Sequence, residues 1–367
     1  MSIVVHMVDD SSDMAAFHKL AETVYADDRF YIPAKDYIPD NARLYLALEN
    51  GSPVARCCTS MQPGGSGIGT IGLFQALNRE KAVAEMLRYA AAQLAAAGAE
   101  RVIGPMDRDT WHSYRINTGP FDSPPFVKEP WNPPYYEKLW KNSGFRIIER
   151  YDSYMIDNPG LAASNQIKFY QRCVKNGYTF EPITSKNFFD VLPRIYTLSC
   201  EVFSNNKFYT PITLQEFIQM YRPAVSLLKT GLSWMAFDAD HELVGYIFMF
   251  PDYADAIRAM RGKNSMPAKI KFLLHRHKAR RTCMKTLGVS PQRRGSGLAA
   301  ALTYLAFRNT ADQGFRQTIM CLMHKANVSR RFSGGADKPF RDYALYEYEN
   351  CTSGATAEQT TNQRSGR

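Results

Sequence analysis

Residues 292–297 read Gln292-Arg293-Arg294-Gly295-Ser296-Gly297. A strand-like run, CMKTLGV (283–289), leads in, and an Ala-rich run with helical spacing, 298–314, leads out. A strand, a glycine loop and a helix start make an anion site. The unpaired N–H groups of the first helical turn point outward, and the helix dipole adds positive potential. Glycine lets the backbone approach an oxyanion with no Cβ in the way. The spacing is not a Walker A loop, which ends Gly-Lys-Ser/Thr, nor G-x-G-x-x-G. A structural tight turn is the alternative, and the loop alone leaves it open.

The elements around this loop repeat. Residues 3–8 are strand-like, and 13–25 carry helical spacing after an acidic cap. A hairpin turns at Asn50-Gly51, and 69–77 is a further strand. The Ala-rich stretch 79–98 ends at Gly98, and 100–106 is again a strand. Residues 133–144 start with Pro and end with Gly144, as helices do, and 145–156 (FRIIERYDSYMI) closes the half. From 187 onward the same order returns: helix, hairpin at Asp238 to His241, strand, glycine loop, helix, strand. A short helix (328–335) and a last strand (342–349) follow. Repetition of this kind predicts an α/β (α+β) chain of two tandem units, each a mixed twisted sheet flanked by helices. The expected division is 1–159 and 160–350, joined near the turn-rich 157–164, with a polar, disordered tail over 351–367.

Charge is uneven. Residues 1–159 hold 16 Lys+Arg against 20 Asp+Glu, a net −4; residues 160–367 hold 29 against 15, a net +14. The segment 251–300 alone has 12 against 2, including KIKFLLHRHKARR (269–281). Either this is a solvated basic face, or it receives a polyanion or phosphate-bearing ligand. No apolar window approaches a membrane span, and no charged N-region precedes an apolar run, so neither a membrane partner nor a signal peptide is expected. Seven scattered cysteines with no C-x-x-C argue for reduced thiols in a cytoplasmic protein and against structural zinc; no metal is expected.

The run LGVSPQRRGSGLAAAL (287–302) resembles the pyrophosphate loop of the GNAT superfamily of acyl-CoA-dependent N-acyltransferases. YADDRFYIPAKD, GTIGLFQAL, VIGPM, FDSPPF, NPPYYEKLWKNSGF, ELVGYIFMFPD and YALYEYE resemble a bacterial tandem-GNAT family over nearly the whole chain. That resemblance implies acetyl-CoA or another acyl-CoA as co-substrate, bound by the second unit. The backbone of Leu287, Gly288 and Val289 would pair with pantetheine. Gln292, Arg293, Arg294, Gly295, Ser296, Gly297 and Leu298 would form the pyrophosphate loop, and Asn327 would face the donor. The basic segment 269–281 could meet the 3′-phosphate. The first unit departs: its loop, FQALNREKAV (74–83), lacks glycine and puts Glu80 where phosphates would lie. The NPPYYEKLWKNSGF motif there reads mainly as packing, with Tyr135 and Tyr136 lining a cleft as the alternative.

Direct acyl transfer needs a proton acceptor for the amine and an oxyanion donor, which the resemblance implies is the N–H of Val289. Glu201 and Asp252 are the carboxylates to test as base; solvated or capping roles are the alternative for each. The stretch after the fifth strand, CLMHKAN (321–327), carries His324 and Lys325 where the family has an acidic residue. The following helix lacks the tyrosine that often protonates the leaving thiolate. Tyr343 or Tyr346 could substitute, and His324 could act as base. The expected activity is N-acyl transfer to a small-molecule amine or amino acid. A transferase drawing on charged tRNA or acyl carrier protein, or a non-catalytic CoA-binding module, are the alternatives.

Overall fold

The computed structural model describes residues 2–33, 36–332 and 338–349. The tail expected from Cys351 onward lies outside the described residues.

The first half runs β1 (Ile3–Met7), α1 (Ser11–Val24), β2 (Arg43–Glu49), β3 (Ser52–Met61), β4 (Ile68–Ala76), α2 (Glu80–Ala96), β5 (Arg101–Gly104), β6 (Ile116–Gly119), α3 (Tyr136–Asn142) and β7 (Phe145–Ile156). The second runs α4 (Pro159–Ser164), α5 (Ile167–Lys175), β8 (Thr179–Pro182), α6 (Phe188–Phe203), α7 (Leu214–Tyr221), β9 (Trp234–Phe237), β10 (Leu243–Pro251), α8 (Ala254–Ala259), α9 (Met266–Arg276), β11 (Arg281–Val289), α10 (Leu298–Asp312), β12 (Gln317–His324) and β13 (Arg341–Tyr348). A 3-10 turn, Val328–Phe332, follows β12.

Local chemistry accounts for the boundaries. Asp10 caps α1 by accepting from the Asp13 N–H at 2.8 Å. Thr213 and Glu216 form a reciprocal capping box on α7. The hairpin between β2 and β3 turns at Asn50 and Gly51, both with positive φ (50° and 79°), as a two-residue turn of the primed type requires.

All 13 described strands join one mixed sheet, in the order β1-β2-β3-β4-β5-β13-β7-β12-β11-β10-β9-β8, with β6 also on β13. Each half is thus completed by the other's last strand: β13 pairs with β5, and β7 pairs with β12. The sequence expectation had 145–156 closing the first half. Alternation fixes which face a strand buries but not which neighbour it takes, so the exchange leaves no trace in the pattern.

Helices cover both faces. In the first half α2 packs on a cluster holding Trp140, Tyr136 and Tyr346, all at most 1% exposed. In the second half α10 covers one cluster and α6 with α7 the other. Full burial of each such large apolar side chain is worth about 2–3 kcal/mol. These clusters fix the relation of β11, α10 and α6, the elements that carry the site.

Candidate donor and transfer site

β11 and β12 run parallel and pair over four positions, from Arg281↔Gln317 to Met284↔Met320. Beyond Met284 the two strands pair no further, although β11 continues to Val289 and β12 to His324. A bulge at Lys285 marks the divergence: against β10, Met249 faces Met284 but Phe248 faces Thr286. Past the bulge, the Ser290 N–H donates to the Val244 carbonyl at 2.9 Å. Antiparallel pairing alternates, so the N–H and C=O groups of Leu287 and Val289 point away from β10, into the gap that β12 leaves.

Eight residues, 290–297, connect Val289 to α10. Gly295 (φ 82°) and Gly297 (φ 94°) are both left-handed, and Gly297 is the N-cap of α10 with no side-chain capping bond. A Cβ on Gly295 would meet nothing within 4 Å, so this bend borders open space. A Cβ on Gly297 would stand 2.8 Å from a guanidinium nitrogen of Arg172. That nitrogen, Nη2, donates to the Ser296 carbonyl at 3.1 Å. α5 thereby lays a cation beside the loop that no spacing in the sequence announces. Arg293 is committed to Asp238 of the β9–β10 turn at 2.8 Å, whereas Gln292 and Arg294 are exposed. An open glycine bend, a 15-residue helix start and nearby guanidinium groups fit a pyrophosphate.

The corresponding place in the first half is closed. The Leu77 N–H donates to the Val54 carbonyl at 2.8 Å, which makes Ala76 the counterpart of Val289. The Ala76 N–H donates to the Tyr136 hydroxyl oxygen at 2.8 Å, and its carbonyl accepts from the Tyr135 hydroxyl at 2.9 Å. These are the tyrosines of NPPYYEKLWKNSGF, which do more than pack. Leu73, left-handed at φ 47°, donates its N–H to Asp107 Oδ1 at 2.8 Å. Protein surrounds Asp107 closely, and burial pushes its carboxyl up to about 6 despite the Leu73 N–H, which lowers it. Only three residues, 77–79, link β4 to α2. Glu80 stands at the helix start, held by Lys138 and by Asn142 at 3.1 Å.

Of the residues expected to move protons, Glu201 is the one at the strand–loop junction. It projects from α6 with Oε1 3.4 Å from Ser290 Oγ, and Ser290 also bonds Gln292. Asp252 lies at the opposite end of β11. It accepts from the Val127 N–H (2.9 Å), the Ala254 N–H (3.2 Å) and Arg281 Nε (2.7 Å), so it works as a buried clamp between segments. His324 donates from Nε2 to Glu149 at 2.6 Å and accepts the Ala326 N–H on Nδ1 at 3.2 Å, which leaves neither nitrogen free to act as base. Burial alone would raise the Glu149 carboxyl, but the bonds from Lys207 and His324 outweigh it and hold the group below the usual range.

Tyr343 and Tyr346 are not at the gap. The strand exchange puts β13 beside β5. There the Tyr343 hydroxyl donates to Glu129 at 2.5 Å, and Tyr346 stacks on Trp140. β7 brings two tyrosines beside β12: Tyr154 opposite Met320, with Arg330 bonded to its hydroxyl, and Tyr151 opposite His324. Asn327 uses Oδ1 to cap the Ser329 N–H at 3.0 Å, a turn contact. The basic segment 269–281 leads into β11 at the end away from the loop. Among the described residues no cluster of metal-ligating side chains occurs, and no helix is long and apolar enough to cross a membrane.

No protein-family model matches the chain, and no curated protein matches it in sequence. Solved structures do match. A fungal multi-domain β-N-acetylglucosaminidase, described as having a GCN5-related glucosamine N-acetyltransferase region, aligns with 95% of this chain at 13% identity and a TM-score of 0.52. This chain spans 38% of that one. A tandem GNAT protein from the clavulanic acid biosynthesis pathway aligns over 94% of this chain and 98% of its own, at 9% identity and a TM-score of 0.50. A GCN5-related N-acetyltransferase from Sphaerobacter thermophilus aligns over 94% and 95%, at 12% identity and 0.50. At such identities the likeness concerns the fold, and it extends over both halves and the exchanged centre. The chain therefore has the tandem GNAT fold, built twice within one continuous sheet.

Proposed function

We propose that the second half binds an acyl-CoA along β11 and transfers its acyl group directly to the amine of a small molecule. One observation carries this: the unpaired edge of Leu287 and Val289 runs straight into a left-handed glycine loop at the start of α10. A strand edge suits an extended amide chain, and the loop suits a pyrophosphate. The acyl-CoA supplies an acyl group already activated as a thioester. The chain supplies position and charge. The N–H groups of Leu287 and Val289 hold the amide-rich arm and offer donors for a developing oxyanion. The N–H groups of Gly295 and Gly297, with Arg294 and Arg172, balance the phosphates; those of Arg294, Ser296 and Leu298 bond within the loop. Glu201 accepts the proton of the attacking amine, held at the junction by Ser290; as the amide bond forms, the thioester C–S bond breaks and CoA leaves as its thiolate, protonated from solvent.

The test is a calorimetric titration of the full chain with CoA, followed by thiol release from acetyl-CoA across a panel of primary amines. CoA binding, with thiol release that needs both an amine and Gly295, is expected. A chain that ignores CoA but accepts an acyl group from carrier protein or charged tRNA would replace this assignment.

A further inference from the structure

α9 exposes an apolar stripe. Met266, Ile270, Leu273 and Leu274 are 69%, 52%, 51% and 58% exposed, although each is a large aliphatic side chain. At about 100° per residue these positions fall within an arc of roughly 100° on one helix face. The opposite face holds the helix to the protein: Ala268 is buried, and Phe272 packs against Tyr253 with ring centroids 5.6 Å apart. The stripe therefore belongs to a well-seated helix, not a frayed one.

Cations border the stripe on both sides. Lys269 and Arg276 flank one edge; Lys271 and, just past the helix end, Lys278 flank the other, and all four are exposed. Arg280 follows, also exposed. No acidic residue occurs anywhere between Asp255 and Asp312. The stripe is more than half exposed at every position, which suits a broad flat partner rather than a ligand that fills a groove. Aliphatic residues at the centre of a basic face are a poor match for nucleic acid, whose phosphates want polar partners and whose bases want aromatic platforms. Aliphatic centre with cationic margins is the pattern of a helix lying in a lipid interface, its apolar side chains among the acyl chains and its cations among anionic headgroups.

We propose that α9 docks the protein on an anionic bilayer surface, through Met266, Ile270, Leu273 and Leu274 with the four flanking cations. Neither spanning segments nor net charge in the sequence points to a membrane partner; the exposure of this stripe does. β11 separates α9 from the loop by nine residues, about 27–30 Å at strand rise. The inference does not rest on the acyl-CoA assignment.

The experiment is co-sedimentation of the full chain with two vesicle populations. One is phosphatidylcholine alone; the other contains roughly one-third phosphatidylglycerol. The wild-type chain should sediment with the anionic vesicles at low salt and be released as salt rises. Ile270→Ser, Leu273→Ser and Leu274→Ser together should lower the bound fraction about tenfold, as should Lys269→Gln, Lys271→Gln, Arg276→Gln and Lys278→Gln together. All seven side chains are exposed, so the melting temperature should not move; Leu274→Ser alone gives a graded version. Failure of the wild-type chain to bind anionic vesicles overturns the proposal. So does a serine variant that binds as well as wild type, since charge alone would then explain the attraction. RNA binding without vesicle binding, or a dimer that the serine variant dissolves, would assign the face to nucleic acid or to a second copy instead.

Discussion

At Ala76 the first half covers with two tyrosine hydroxyls the pair of backbone groups that the second half directs into a gap at Val289. The two places share their surroundings. Each lies at the end of a central strand, just beyond a bulge, where a parallel neighbour diverges. The difference lies in few atoms: Tyr135, Tyr136 and Asp107 on one side, five extra loop residues with two glycines on the other. The lesson is that divergence of the strands does not by itself make a donor site. The backbone groups it frees must be satisfied, by a ligand or by the chain itself. The first half uses its own side chains.

The largest effect should come from Gly295→Glu. Its Cβ would enter open space, so folding should lose only the strain of a left-handed non-glycine residue, about 1 kcal/mol. CoA affinity should fall on the order of a hundredfold or more, since a carboxylate would enter a phosphate cradle. Calorimetry beside a thermal melt separates the two. Unchanged affinity would remove the loop from the contrast between halves.

Glu201→Gln should lower kcat about tenfold to a hundredfold while leaving CoA affinity and melting temperature in place. Asp252→Asn should do the reverse. It removes the charge facing Arg281 and costs about 1–3 kcal/mol of stability, with kcat nearly unchanged. Steady-state rates and melts on both variants decide which carboxylate serves chemistry.

In the first half, Tyr136→Phe should leave CoA binding alone. It strips the acceptor from the buried Ala76 N–H and should cost about 1–3 kcal/mol, read by denaturant unfolding. Equal stability would mean that the tyrosine does not close that site.

The last effect concerns pH. Asp107 has a folded-state pKa of about 6, above its ordinary 3.8. A raised acid stabilises the fold fully below the unfolded value and loses that contribution as pH rises through about 6. Asp107→Asn keeps an oxygen for the Leu73 N–H but cannot ionise. Relative to wild type, the variant should gain on the order of 2–3 kcal/mol between pH 4 and pH 7.5. Parallel stability curves in melts at the two pH values would contradict the closed-site geometry.

The glycine loop was legible in the sequence because its chemistry is local: strand, left-handed residues and helix start lie within one short stretch. Glu80 and the missing glycines told equally plainly that the first half differs. Arg172 was not legible, since 124 residues separate it from the Ser296 carbonyl it bonds. Tyr343 and Tyr346 were misplaced because alternation reports a strand's buried face and says nothing of its neighbour. Asp252 was a candidate base for its place at a strand end, in the Pro-Asp of ELVGYIFMFPD; its partners, Val127 and Arg281, come from distant segments. The stripe on α9 lies in the spacing of Met266, Ile270, Leu273 and Leu274, but spacing does not say that an apolar helix face is left exposed.

The central contrast is tested most directly by the stoichiometry of CoA binding to the full chain, measured by titration calorimetry and repeated on Gly295→Glu and Tyr136→Phe. One CoA per chain is expected, lost in the glycine variant and kept in the tyrosine variant. Two per chain, or a single site that survives Gly295→Glu, would contradict the assignment of the open site to the second half.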